Sequence, residues 1–334
     1  MSINLPPRTE NEEGEKRTVG FELEFAGLEI TRTAEIIQEA YGGEIIEDNR
    51  YEYRIIDTEL GEFRVELDAR ILQKMASKNF LENIGLDIDT GKFTDSLEDA
   101  LDTMAKSVIP IEIVMPPVEL NDMDRLEKLQ VQLQKNKAEG TKTSIIHAFG
   151  MHLNIESPDL KAETLLAYLR SFMLLYPWLL EKLNIDITRR ISPFVDSFPD
   201  AYVNKILEPD YKPDLETLID DYLIFNDTRN RPLDMMPIFG LLDQERISKV
   251  LGGEKNNPRP TFHYRLPNSR IDEPDWKFSG EWNDWCEVEK LAADKDMLNK
   301  LSRLYLVRRS KTLVSFKKEW AETISILLDL EVTS

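Results

Sequence analysis

Five short stretches of the chain set ionisable side chains at every second position between apolar ones. Val19-Gly20-Phe21-Glu22-Leu23-Glu24-Phe25 carries two carboxylates, and Phe63-Arg64-Val65-Glu66-Leu67-Asp68 carries Arg64, Glu66 and Asp68. Ile111-Glu112-Ile113 adds one acid, Met151-His152-Leu153-Asn154-Ile155 adds an imidazole and an amide, and Phe262-His263-Tyr264-Arg265-Leu266 adds His263 and Arg265. Residues two apart on a strand share a face, so each stretch reads as a strand with one apolar and one functional side. A half-solvated antiparallel sheet also alternates in this way. Such a face, however, would normally use Ser, Thr and Lys too, and these positions hold only carboxylates, imidazoles, an amide and guanidiniums.

Carboxylates gathered without cations repel one another, and a divalent ion is the natural neutraliser. Oxygen donors with few imidazoles favour a hard ion, Mg²⁺ or Mn²⁺. Arginines beside such ions suit a phosphoryl group in transfer, whose charge they stabilise.

The elements that must position these residues follow from the pattern. Val19–Phe25, Tyr51–Ile56, Glu62–Asp68, Ile109–Val114 and Phe149–Ile155 are expected strands. Helices are expected at Thr33–Tyr41, ended by Gly42-Gly43, and at Ser96–Ser107 and Asp122–Lys137. Long helices follow at Ala162–Leu183, Asp214–Asn226 and Asp234–Leu251, and the last clear one is Lys311–Leu328. The late strand Thr261–Leu266 must return to the first sheet to satisfy its backbone, which makes this an α+β chain with one interleaved domain. Residues 1–17 read as a flexible lead-in, 18–280 as the catalytic domain, and 281–334 as a helical extension packed on it.

The chain has 334 residues, and 41% hydrophobic content is that of an ordinary globular protein. Its 62 acidic residues against 42 basic ones give a formal charge of −20, which excludes sequence-independent binding to nucleic acid. A phosphate-bearing ligand must therefore be held locally, through metal. The single cysteine, Cys286, allows no intrachain disulfide and no cysteine-rich zinc site. The N-terminus does not read as a secretory signal, and the apolar run at Leu165–Leu180 carries Arg170 and Pro177, so the expectation is a cytoplasmic protein with no membrane partner.

Taken in order, the five stretches resemble the amidoligase branch of the carboxylate–amine ligases, relatives of glutamine synthetase and glutamate–cysteine ligase. Val19–Gly27 is similar to the family's first metal-binding strand, Phe63–Asp68 to its second acidic strand, and Ile111–Pro117 to its acid strand that ends in prolines. Gly150–Asn154 is similar to the His-x-Asn strand and Arg259–Pro267 to the closing arginine strand. The resemblance spans roughly Thr18 to Arg270.

It implies a glutamine synthetase-like domain, a curved antiparallel sheet with helices on its outer face. It also implies ATP-dependent formation of an amide or isopeptide bond through an acyl phosphate, from small-molecule or peptide carboxylate and amine substrates. Glu22, Glu24, Glu66, Asp68, Glu112 and His152 would hold Mg²⁺ or Mn²⁺. Arg265, with Arg64, would stabilise the transferring group, and Asn154 would orient a phosphate, a substrate or the His152 ring. Related ligases usually carry glutamate where this chain has His263, which either ligates metal or serves the substrate. The superfamily's ring-forming members make a homo-oligomer an expectation to test.

Two other segments compete for roles. Arg189–Phe194 and Asn226–Asp234, the latter with Arg231, are rich in donors beside helix ends, and either bind nucleotide phosphate or a substrate carboxylate, or simply cap and solvate. His147 lies out of phase with His152 and reads as structural. Rival functions are a metal-dependent hydrolase using the same acids, which would form product without ATP, and a non-catalytic nucleotide-binding scaffold, which would bind ATP without turnover.

Overall fold

The computed structural model describes residues 3–67, 110–140, 149–183, 196–252, 256–310 and 316–330. Asp68, the helix expected at Ser96–Ser107, His147 and the Arg189–Phe194 loop lie outside these residues. Within them runs a nine-stranded sheet: β1 Thr18–Phe25, β2 Glu44–Asn49, β3 Glu52–Thr58, β4 Gly61–Leu67, β5 Ile111–Val114, β6 Val118–Glu119, β7 Met151–Glu156, β8 Leu233–Asp234 and β9 Thr261–Tyr264. The order is β2-β3-β4-β5-β1-β7-β9-β8, with β6 pairing the start of β1. Every pairing is antiparallel. The late strand β9 does return, between β7 and β8.

The apolar positions form one buried face, and helices cover it. Phe278, at the start of helix Phe278–Ala293, stacks on Phe21 of β1 with ring centroids 5.8 Å apart. Tyr41, ending helix Ile30–Tyr41, stacks on Phe63 of β4 at 5.2 Å, and Tyr168, within helix Ala162–Lys182, stacks on Phe262 of β9 at 4.6 Å. Burying these rings supplies the main drive to hold helix and sheet together. The opposite face keeps the ionisable residues.

Three expectations change. The lead-in is held rather than free: Asn4 pairs with Asn283 (2.8 Å), Arg8 with Asp159 (2.6 Å), and Arg17 is fully buried against Glu289. A charge run reads as solvated only because its partner lies far away in sequence. The strand β2 has no apolar alternation and escapes the pattern; it is an edge strand with largely exposed side chains.

The helix expected over Asp234–Leu251 is in fact strand β8 followed by two helices, Met236–Leu242 and Gln244–Leu251. They break at Asp243, where the backbone is non-helical (φ −152°, ψ 82°) and the carboxylate accepts the Arg246 N–H at 2.9 Å. This is an N-cap, satisfying an amide that the helix itself leaves orphaned. Asp243→Ala should lower stability by about 1 kcal/mol, read as a reduced melting temperature, whereas Asp243→Asn should retain most of it.

Among the described residues, no helix is long and apolar enough to cross a membrane.

Candidate active site

The strand register decides which of the predicted residues meet. Glu66 on β4 lies opposite Glu112 on β5, and Glu112 lies opposite Glu24 on β1. Glu22 lies opposite His152, while His263 lies opposite Asn154 on one side and Asp234 on the other. Strands far apart in sequence thus place their even-spaced polar residues on one patch of one face.

Glu22 is its hub. One carboxylate oxygen, Oε1, accepts a hydrogen bond from Asn154 Nδ2 (2.9 Å) and has Arg259 at 3.8 Å. The other, Oε2, lies 3.0 Å from His152 Nδ1 and 3.5 Å from His263 Nε2. Burial works against the Glu22 charge, but His263 and His152 outweigh it and hold the carboxyl well below the ordinary range, so it stays ionised. Asn154 is tied in turn through its Oδ1, which accepts from Arg259 at 2.5 Å. The amide therefore orients Glu22 before any phosphate.

Glu24 is buried and accepts the Gly150 N–H at 2.7 Å, with its other oxygen 4.0 Å from His152 Nε2. Glu112 is buried as well. Two sets of ligand atoms lie within 4.8 Å of one another: Glu22, His152 and His263, and Glu24, Glu112 and His152. A neutral imidazole has one lone pair, so His152 can serve only one set at a time. With its Nδ1–H given to Glu22, its Nε2 faces Glu24 and Glu112, the arrangement in which a carboxylate steers a metal-ligating ring.

His263 is 3% exposed, and neither ring nitrogen makes a hydrogen bond. Burial, reinforced by the charge of Arg265, pushes its ring well below the usual histidine range. Behind it stands Asp234, fully buried, which the strand pattern did not single out. Asp234 accepts the Met236 N–H at 2.9 Å and sits 3.2 Å from Arg229 and 3.9 Å from both Arg265 and His263 Nδ1. Its two-residue strand is too short for any alternation to reveal; pairing with β9 creates its position.

Other predicted residues are placed differently. Arg64 and Glu66 pair with each other at 3.0 Å at the more exposed edge, with the Arg64 side chain 40% accessible. Glu66 adjoins Glu112 across the strands but belongs to neither of the two ligand sets. Arg231 donates to the carbonyls of Ser197 (2.7 Å) and Phe225 (3.1 Å), so its guanidinium braces loops rather than facing a nucleotide. Among the described residues, Arg259 approaches Glu22, and Arg229 and Arg265 approach Asp234; Arg259 was legible as the first residue of the closing strand motif.

A family model described as "Putative amidoligase enzyme" matches residues 15–287. No curated protein and no solved structure matches the chain.

Proposed function

The chain belongs to the amidoligase family, and from that premise we propose that it joins a carboxylate to an amine at the expense of ATP. The observation that carries this reading is the convergence of Glu22, Glu24, Glu112, His152 and His263 on one patch of the sheet, with arginines at its border. Their donor set fits a divalent cation: three carboxylates and two imidazoles in near contact, including two buried ring nitrogens with no hydrogen bond. Glu24, Glu112, His152 and Glu22 would hold Mg²⁺ or Mn²⁺, which would neutralise phosphate charge and act as a Lewis acid.

In the proposed sequence a substrate carboxylate oxygen attacks the γ-phosphorus of ATP. The bond to the β,γ-bridging oxygen breaks and ADP leaves. The amine nitrogen then attacks the acyl carbon, phosphate departs and the nitrogen sheds a proton. Arg265, largely buried at the end of β9, would stabilise the charge on the transferring group from a preset position. Arg64, nearer the rim, is the weaker candidate for that role. Asn154 keeps Glu22 aimed at the patch, and no side-chain nucleophile is required.

The test is ADP release with Mg²⁺ or Mn²⁺ across a panel of carboxylate and amine pairs. Release that depends on both partners is expected; product without ATP, or ATP binding without turnover on any pair, would replace the ligase by a hydrolase or a scaffold. Arg265→Lys should lower kcat by about 10²-fold with the melting temperature retained, since an ammonium lacks the planar guanidinium fork.

A further inference from the structure

Independently of the ligase reading, we propose that two copies of this chain associate through the outer face of helix Lys295–Arg309 on one copy and the outer face of helix Leu215–Phe225 on the other, basic face against acidic face. Charge is unevenly spread along the chain. Its formal total is −20, yet residues 295–318 hold eight lysines and arginines against the single acid Asp296. Residues 214–227 are the opposite, with five acids and no lysine or arginine. Segregation of this kind creates surfaces of complementary potential on one molecule.

The fold turns both charges outward as stripes. On helix Lys295–Arg309, Lys300, Arg303 and Val307 follow at spacings of three and four and are exposed, Val307 to 52%, with Leu304 half-buried beside them. Together with Asp296 and Asn299 they line an open groove of about 570 Å³. Neither Lys300 nor Arg303 has an acid partner among the described residues, whereas Lys295 and Arg309 on the same helix pair with Glu163 and Asp200. On helix Leu215–Phe225, Glu216, Asp220 and Ile224 follow at spacings of four and are exposed, Ile224 to 74%. Asp220 and Asp243 share the one guanidinium of Arg246, at 3.3 Å each, so this stripe stays acidic.

Residues three and four apart lie on one helix face, so each stripe is a ridge of two charges that ends in one β-branched side chain. Laid parallel, the two ridges match. Asp220 stands four residues before Ile224 as Arg303 stands four before Val307, a rise of about 6 Å in both. Ile224 then covers Val307, Asp220 meets Arg303, and Glu216 falls beside Asn299 and Lys300. The contact removes two apolar side chains from water and gives the cations the carboxylates that their own chain does not. Like faces cannot pair in this way, because helix Lys295–Arg309 against its own copy would set Lys300 and Arg303 against like charges. The matching stripe lies on the chain itself, which makes a second copy the occupant.

The experiment is sedimentation velocity of the full chain up to about 100 µM, a range that reaches the weak end of specific protein association. Wild type should show a sedimentation coefficient that rises with concentration. Raising the salt from about 0.05 M to about 0.5 M should weaken association about tenfold, because exposed charges are screened. Lys300→Glu/Arg303→Glu and, separately, Glu216→Lys/Asp220→Lys should each weaken it at least about 10²-fold, since each sets like charges face to face. An equimolar mixture of the two variants should associate again, because every contact between the two kinds of chain is once more one of opposite sign. All four positions are exposed, so circular dichroism and melting temperature should stay near native. If either double variant does not fold, Val307→Asp and Ile224→Asp take their place, each weakening association about tenfold by burying a carboxylate against an apolar side chain. A wild type that stays monomeric at low salt, variants that associate as the native chain does, or a mixture that stays monomeric would overturn the proposal. ADP release plays no part in the readout, so this interface and the ligase reading fail separately.

Discussion

Glu22→Gln should reduce metal-dependent ADP formation by about 10²–10³-fold while leaving the far-ultraviolet circular dichroism and the melting temperature close to those of the native chain. The side chain is nearly isosteric, so the apolar face of β1, where Phe21 and Leu23 are buried, loses nothing. What it loses is the one negative charge on which Asn154, His152, His263 and Arg259 all converge. Losing a charge that organises preset electrostatics carries a penalty of this order. Glu24→Gln should act in the same direction, because its carboxylate faces His152 Nε2 from the other side. Full activity in both variants, on any substrate pair the native protein accepts, would show that the acids of β1 do not serve the reaction.

Arg17→Met should be among the most destabilising single changes, at about 3–5 kcal/mol, read by denaturant or thermal unfolding. Arg17 and Glu289 are almost wholly inaccessible and joined by two hydrogen bonds of 2.8 Å. Arg17 further donates to the carbonyls of Arg8 and Glu156, while Glu289 also receives Tyr168 and Trp285. Burial works to discharge Arg17, but Glu289 more than offsets it and raises its affinity for the proton. Removing the guanidinium leaves a buried carboxylate with no countercharge, the expensive half of a broken pair. The double variant Arg17→Met/Glu289→Leu should therefore recover part of the loss. A double variant no more stable than the single one would mean that the carbonyl contacts, and not the pair, carry the energy.

The two predictions differ in how far sequence alone could reach them. Glu22 and Glu24 were legible because a strand reports its own face: period-two alternation holds whatever the strand pairs with. The Arg17–Glu289 pair was not, since nothing near either residue encodes a partner 272 positions away. Asp234 was hidden for a related reason. Its strand has two residues and sits in what periodicity reads as the beginning of a helix. Arg231 stood out in a donor-rich loop, yet composition cannot tell a guanidinium that holds carbonyls from one that faces a ligand.

Local chemistry, then, was sufficient for the functional face, its carboxylates and imidazoles, the helix-covered apolar side and the family to which they belong. Backbone alternation and hydrophobic spacing are properties of neighbours in sequence, and they survive any global arrangement. Only the tertiary structure decided that Glu22 is the hub, that Asn154 and Arg259 hold it, that Asp234 backs His263, and that Arg17 joins the N-terminal stretch to the C-terminal helices. Those outcomes depend on strand order and register, where one residue of slip would turn each of these side chains to the other face.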